Sequence, residues 1–192
     1  MRGFVKSFWR TARAFLRREA GVAVVEFALV VPLMLAVYVG CSEAAALLTV
    51  DRKVQSVAGA VGDLVARSNK KITETELTDY FRAATSILVP YSANGLVQTV
   101  TAVSVDKNGV ATVLWSARFT DDKLTKQVAD HPKGSSFDLP VEMKAIAAGQ
   151  TVISAESEYG YNPLIGVVFR NTVDLHRSAL FMPRYGGTIT FP

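Results

Sequence analysis

The run Val22–Ser42, "VAVVEFALVVPLMLAVYVGCS", contains one charged residue, Glu26. Bilayer hydrocarbon is about 30 Å thick and takes about 20 predominantly apolar residues as helix to cross. The run reaches that length only with Glu26 admitted near one end, so the chain reads as membrane-anchored with an acid inside its anchor. Six bases, Arg2, Lys6, Arg10, Arg13, Arg17 and Arg18, precede the run against Glu19, and Asp51 lies beyond it. The positive-inside rule then places the N-terminus in the cytoplasm and the C-terminal bulk across the membrane. The formal charge of +4 therefore belongs to the leader. The rest of the chain has no basic patch interleaved with aromatics, which argues against a nucleic-acid partner.

Three fates of this segment are consistent with the residues. As a secretory signal it has a basic region and an apolar core, with "VGCSEAA" as a small-residue site. "YVGC" at Tyr38–Cys41 half-matches a lipoprotein box, with Tyr where Leu is expected. The third fate is cleavage ahead of the apolar run, between Gly21 and Val22. Cys41 is the sole cysteine, so no intrachain disulfide forms and an exported domain must fold on packing alone. At 192 residues, 49% of them hydrophobic, a core of that kind is feasible.

"RREAGVAVVEFALVVPLML" resembles the processing site of type IV pilin-like proteins, more narrowly of the TadE-like pseudopilins of the tight-adherence (Tad) pilus. That pattern has a basic leader ending in Gly, an apolar run from the next residue, Glu at its fifth position and a Pro soon after. Here these are Gly21, Val22, Glu26 and Pro32, with Phe27 in "EFAL". The resemblance implies a 1–21 leader removed after Gly21 by prepilin peptidase. It implies a Glu26 that neutralises the new α-amine of a neighbouring subunit or its own, and packing among pilin helices through Glu26, Phe27 and Pro32. Its other implied partners are the Tad inner-membrane assembly platform and the membrane itself. The chain would sit in the inner membrane with a periplasmic domain and pass into the extracellular pilus on assembly. A domain this large fits a minor subunit better than a small major pilin. The residues alone leave open a membrane-anchored or lipidated periplasmic binding or scaffold module with an uncleaved signal anchor.

Past the run, Leu47, Val50, Val54, Val57, Val61, Leu64 and Val65 recur at spacings of three and four. That predicts one helix over 22–67, about 70 Å at 1.5 Å per residue, membrane-spanning first and amphipathic second. Pro32 predicts a kink near Phe27–Pro32, since it removes a backbone donor and crowds the preceding turn. Gly59 and Gly62 weaken the second half and permit close backbone approach. Gly40 and Cys41 read as small packing residues.

The remainder, 68–192, reads as the periplasmic domain. Thr73 with Glu76 forms a capping box, opening a helix with one face of Leu77, Tyr80, Phe81, Ala84, Ile87 and Leu88, up to Pro90. The period then changes to two. Leu96 to Phe119 predicts a β-hairpin turning at Asp106–Gly109, with unsettled register. "TDDKLTKQVADHPKGSSFDLP" predicts a polar insertion with a short helix at Lys123–Ala129 and a loop through Pro132–Ser136. "QTVISAESEYGY" and "NTVDLHRSALFMP" predict a further strand pair. The fold class is α+β: a long pilin-like "lollipop" helix packed on a second helix and an antiparallel sheet. The TadE and TadG-like resemblance extends loosely to Tyr159, Tyr161, Pro163, Leu164, Pro183 and Arg184, although the tyrosines also read as ordinary packing.

No catalytic constellation is visible. His131 and His176 lack partners at zinc spacing, and Ser135 and Ser136 lie outside any G-x-S-x-G elbow. No P-loop or G-x-G-x-x-G occurs, so the residues imply no enzyme, cofactor or metal.

Overall fold

The structure, a computed structural model, describes residues 19–163, 166 and 169–192. The leader bases Arg2 to Arg18 and Leu164 lie outside the described residues.

One helix, α1 (Glu19–Ala66), runs 48 residues without a break. It begins before Gly21 and not at Val22, because Glu19 and Ala20 continue the helical pattern upstream. It remains one helix through Pro32. Its C-terminus is closed by Arg67 and Ser68 N–H groups on Asp63, Leu64 and Val65 carbonyls. The Arg184 N–H, from the far end of the chain, donates to Ala66 O at 2.9 Å.

The expected capping box is present. Thr73 Oγ1 accepts from Glu76 N at 3.2 Å, and Thr73 N donates to Glu76 Oε2 at 2.8 Å, opening α2 (Glu74–Thr85). α2 stops earlier than Pro90: a 3-10 turn, Ser86–Leu88, tightens the chain first. Five strands come next: β1 (Val97–Val105), β2 (Ala111–Thr120), β3 (Lys123–Lys126), β4 (Thr151–Tyr161) and β5 (Val173–Phe181). They form one antiparallel sheet in the order β3-β2-β1-β4-β5.

The β1–β2 hairpin forms with Asp106 Oδ1 accepting from Asn108 and Val110 N–H and with Gly109 at φ +82°. Its register is irregular for a structural reason. Ala102 faces Trp115 while Val103 faces Val113, so Leu114 is an extra residue in a bulge. The helix expected at Lys123–Ala129 is absent. Asp121 and Asp122 both adopt positive φ, 49° and 61°, and fold the chain straight back, with Lys123 opposite Thr120. Two left-handed residues make the tight turn whose twist suits a hairpin, and Asp tolerates that region. A short helix that the sequence did not announce, α3 (Val141–Ile146), follows the polar insertion.

The main core lies between the helices and one sheet face. Val57, Val61 and Val65 of α1 meet Leu77, Phe81 and Ala84 of α2 over Val100, Ala102, Trp115, Ala117, Phe119, Ile153 and Ala155. Phe81 stacks on Phe119 with centroids 5.3 Å apart. Large side chains such as Phe81, Leu77 and Leu88 are fully buried, and each contributes about 1.5–3 kcal/mol. The opposite sheet face carries a smaller cluster, Val103, Val105, Ala111, Leu139, Ala147 and Val152, under the insertion. The C-terminal segment closes the far end, where Trp115 Nε1 donates to Ile189 O at 2.7 Å.

Candidate functional site

Two halves of α1 meet different surroundings. From Val22 to Tyr38 its large apolar side chains are exposed on every side, with Phe27 at 70%, Leu29 at 72% and Leu33 at 67%. A helix apolar all round is stable where apolar matter surrounds it, in a bilayer or among other helices. The helix Val22–Ala66 is long and apolar enough to cross a membrane, and none of its most apolar stretch is buried in the domain. From Val50 onward Val54, Val57, Ala58, Val61 and Val65 are buried in the domain.

Gly21, Val22, Glu26, Phe27 and Pro32 therefore all lie on the free half of α1. Glu26 makes no ion pair with any described residue, and its side chain is exposed. An isolated carboxylate at membrane depth costs roughly 2.5 kcal/mol or more, which a partner cation offsets. Val22 and Glu26 are four residues apart, so the α-amine that cleavage at Gly21 would create shares a helix face with Glu26. The peptide bond itself lies inside α1, in helical conformation. Gly40 is half-buried, but Cys41 is exposed and belongs to no core cluster among the described residues.

Glu43, the next acid along α1 after Glu26, draws no role from the sequence. In the structure it is 4% exposed, and its Oε2 accepts from the Phe169 N–H at 3.3 Å. The signal was available: Glu43 lies four before Leu47 and seven before Val50, on the stripe that α1 buries. Further along α1, Val50 and Val54 cluster with Leu88, Tyr161 and Leu175, with Ala46, Leu47 and Tyr91 against them. Burial raises the Tyr161 phenol above its ordinary value, and the neighbouring Tyr91 and Glu43 add to the effect. Tyr159 donates to Ser92 O at 2.9 Å, and Lys53 Nζ donates to Ile87 O and Val89 O, both at 2.8 Å. The Lys53 bonds fix the α2–β1 connection against α1, and the Tyr159 bond fixes it against β4. Both tyrosines thus pack, as one of the two readings held.

At the other end of the packed half, Arg184 donates to Asp63 Oδ1 at 2.5 Å and Arg67 pairs with Asp63 Oδ2 at 2.5 Å. The Arg67 hydrogen bond, with Arg184 beside it, holds the Asp63 carboxyl below the usual carboxylate range. Arg184 so closes the domain on α1.

Both histidines lie on the sheet side away from α1. His131 Nε2 is 3.7 Å from Glu156 and His176 Nδ1 is 3.6 Å from Glu158. Ser135 Oγ donates to Pro132 O at 2.7 Å, which turns a loop and leaves the hydroxyl facing no base. Among the described residues no group of three or more His, Cys, Asp or Glu could hold a metal ion.

No curated protein and no solved structure matches the chain. Residues 21–62, from Gly21 through the free half of α1 and into its packed half, match the family described as TadE-like protein.

Proposed function

We propose that this chain is a minor pseudopilin assembled into, or priming, a Tad-type (type IVc) pilus or secretion apparatus. The observation that carries the reading is the free half of α1: an apolar surface with one carboxylate, five residues after Gly21, inside the TadE-like match. In this reading the leader stays in the cytoplasm, α1 spans the inner membrane and 68–192 folds in the periplasm. Prepilin peptidase hydrolyses the Gly21–Val22 amide, water supplying the carboxylate oxygen to Gly21 and the proton to the new Val22 amine. Gly21 supports this step, because glycine weakens a helix by about 1 kcal/mol relative to Ala and lets the bond open from α1. Protonated, the amine is the cation that Glu26 lacks among the described residues. Pairing across subunits would fix the register of adjacent helices, and Phe27 and Pro32 would pack at the same level. The other Tad subunits and the assembly platform are the partners this reading names.

A second reading keeps α1 as an uncleaved signal anchor of a periplasmic scaffold or binding module, favoured by the unbroken helix through Gly21. N-terminal sequencing of the membrane-bound protein separates them. Val22 as first residue supports the pseudopilin, whereas Met1 or a lipidated Cys41 overturns it. Glu26→Ala should be processed normally yet be lost from sheared filaments. Normal incorporation would remove the docking role.

A further inference from the structure

Val22 and Glu43 lie about 32 Å apart along α1 at about 1.5 Å per residue, close to the roughly 30 Å of bilayer hydrocarbon. Glu43 therefore marks the level at which a span beginning at Val22 leaves the lipid. The same residue is the first buried one on α1, and it holds the Phe169 N–H. The domain consequently begins where the hydrocarbon ends.

The strand directions say which end of the domain that is. Phe181, at the end of β5, lies against Gly62, near the top of α1. Tyr161, at the end of β4, packs with Val50, and Phe169 is bonded to Glu43, near the bottom. The lower end thus presents Phe169 and Tyr91, both half-buried, and the exposed Arg170. The upper end presents the β1–β2 turn Asp106–Val110 and the Thr151 end of β4.

We propose that Tyr91, Phe169 and Arg170 form a seat on the headgroup layer of the leaflet that α1 leaves, with Glu43 locking that seat to the anchor. The proposal rests on the membrane anchoring proposed above. Aromatic rings with one wet and one apolar side concentrate at this depth. A guanidinium there binds lipid phosphate through paired N–H groups. Glu43 supplies rigidity, because a buried carboxylate bonded to the backbone of the β4–β5 connection keeps that connection from lifting away. The domain would then stand on the bilayer at a fixed height and orientation before assembly.

The test uses the full chain with Cys41→Ser in nanodiscs of phosphatidylethanolamine and phosphatidylglycerol. Val37→Cys, Asn171→Cys or Val110→Cys carries a fluorophore, and nitroxide-bearing lipid is the quencher. Val37 lies in the span, Asn171 beside Arg170, and Val110, 57% exposed, at the upper end. Labels at 37 and 171 should be quenched at least twofold more than the label at 110, and Phe169→Ser should reduce quenching at 171. Quenching at 171 no greater than at 110, with 37 quenched, overturns the seat and leaves that face to water or a neighbouring subunit. Absence of quenching at 37 removes the anchoring itself, and the seat falls with it.

Discussion

A Cβ added to Gly62 would fall 2.5 Å from two ring carbons of Phe181 and 3.0 Å from the Cβ of Ala155. The helix can approach β4 and β5 this closely only because that atom is missing. Gly62→Val should lower stability by about 2 kcal/mol, by the usual cost of overpacking, read as an earlier urea midpoint of the full chain in detergent. Gly59 has open space where its Cβ would be. Gly59→Ala should therefore stabilise by up to about 1 kcal/mol through helix propensity alone. Asp63 adds a pH term. Its folded pKa is lowered, so its contribution is complete above the unfolded value, about 4, and is lost as pH falls through that value toward the folded one. Asp63→Asn should flatten the acid side of a stability profile measured below about pH 5. Residue-level legibility was uneven for one reason: Glu26 stood out because its motif is local. Glu43 did not, because its partner is the backbone of Phe169, far along the chain.

At the scale of elements, helix signals proved legible wherever they were repeated or capped. The three-and-four stripe located the packed half of α1, and Thr73 with Glu76 located the start of α2 within a residue. Thr73→Ala should cost about 1 kcal/mol, measured by thermal unfolding, with Glu76→Gln costing less because an amide oxygen still accepts from Thr73. Strands were legible where apolar alternation ran long, as in β1, β2, β4 and β5. β3 was hidden, since "KLTK" is four residues with a single apolar one, Leu124, too short to show an alternation, and it is a strand by pairing with β2. Its true marker was the Asp121–Asp122 turn. α3 was hidden likewise, with none of its residues buried and no side-chain cap at Pro140. The apolar half of α1 was legible almost entirely, because a membrane-competent run and its lone acid are properties of consecutive residues. The seat beneath the domain was not, since it unites Glu43, Tyr91 and Phe169 from three elements.

For the whole molecule, the core begins at Glu43, and the free half of α1 adds nothing to it. Residues 43–192 alone should therefore form a soluble domain that unfolds cooperatively, as checked by circular dichroism and size exclusion. The sheet has two unlike borders. One is short and charged at β3, and beyond it β2 is met by Gly134, Ser135 and Phe137 through backbone hydrogen bonds. The other, β5, carries neither Lys nor Pro, and among the described residues its outer carbonyls meet only the Gln55 and Arg177 side chains. Such a border is a template for another strand. Two copies pairing there antiparallel would be related by an axis normal to the sheet. Because α1 lies along the sheet face, that axis would point the two anchors in opposite directions. Under the anchoring proposed above, chains inserted the same way into one bilayer would not obey it, and shared polarity would keep this border from closing on its twin. Severed from the anchor, 43–192 should dimerise with concentration, and Ser178→Lys should abolish the dimer, which sedimentation would reveal.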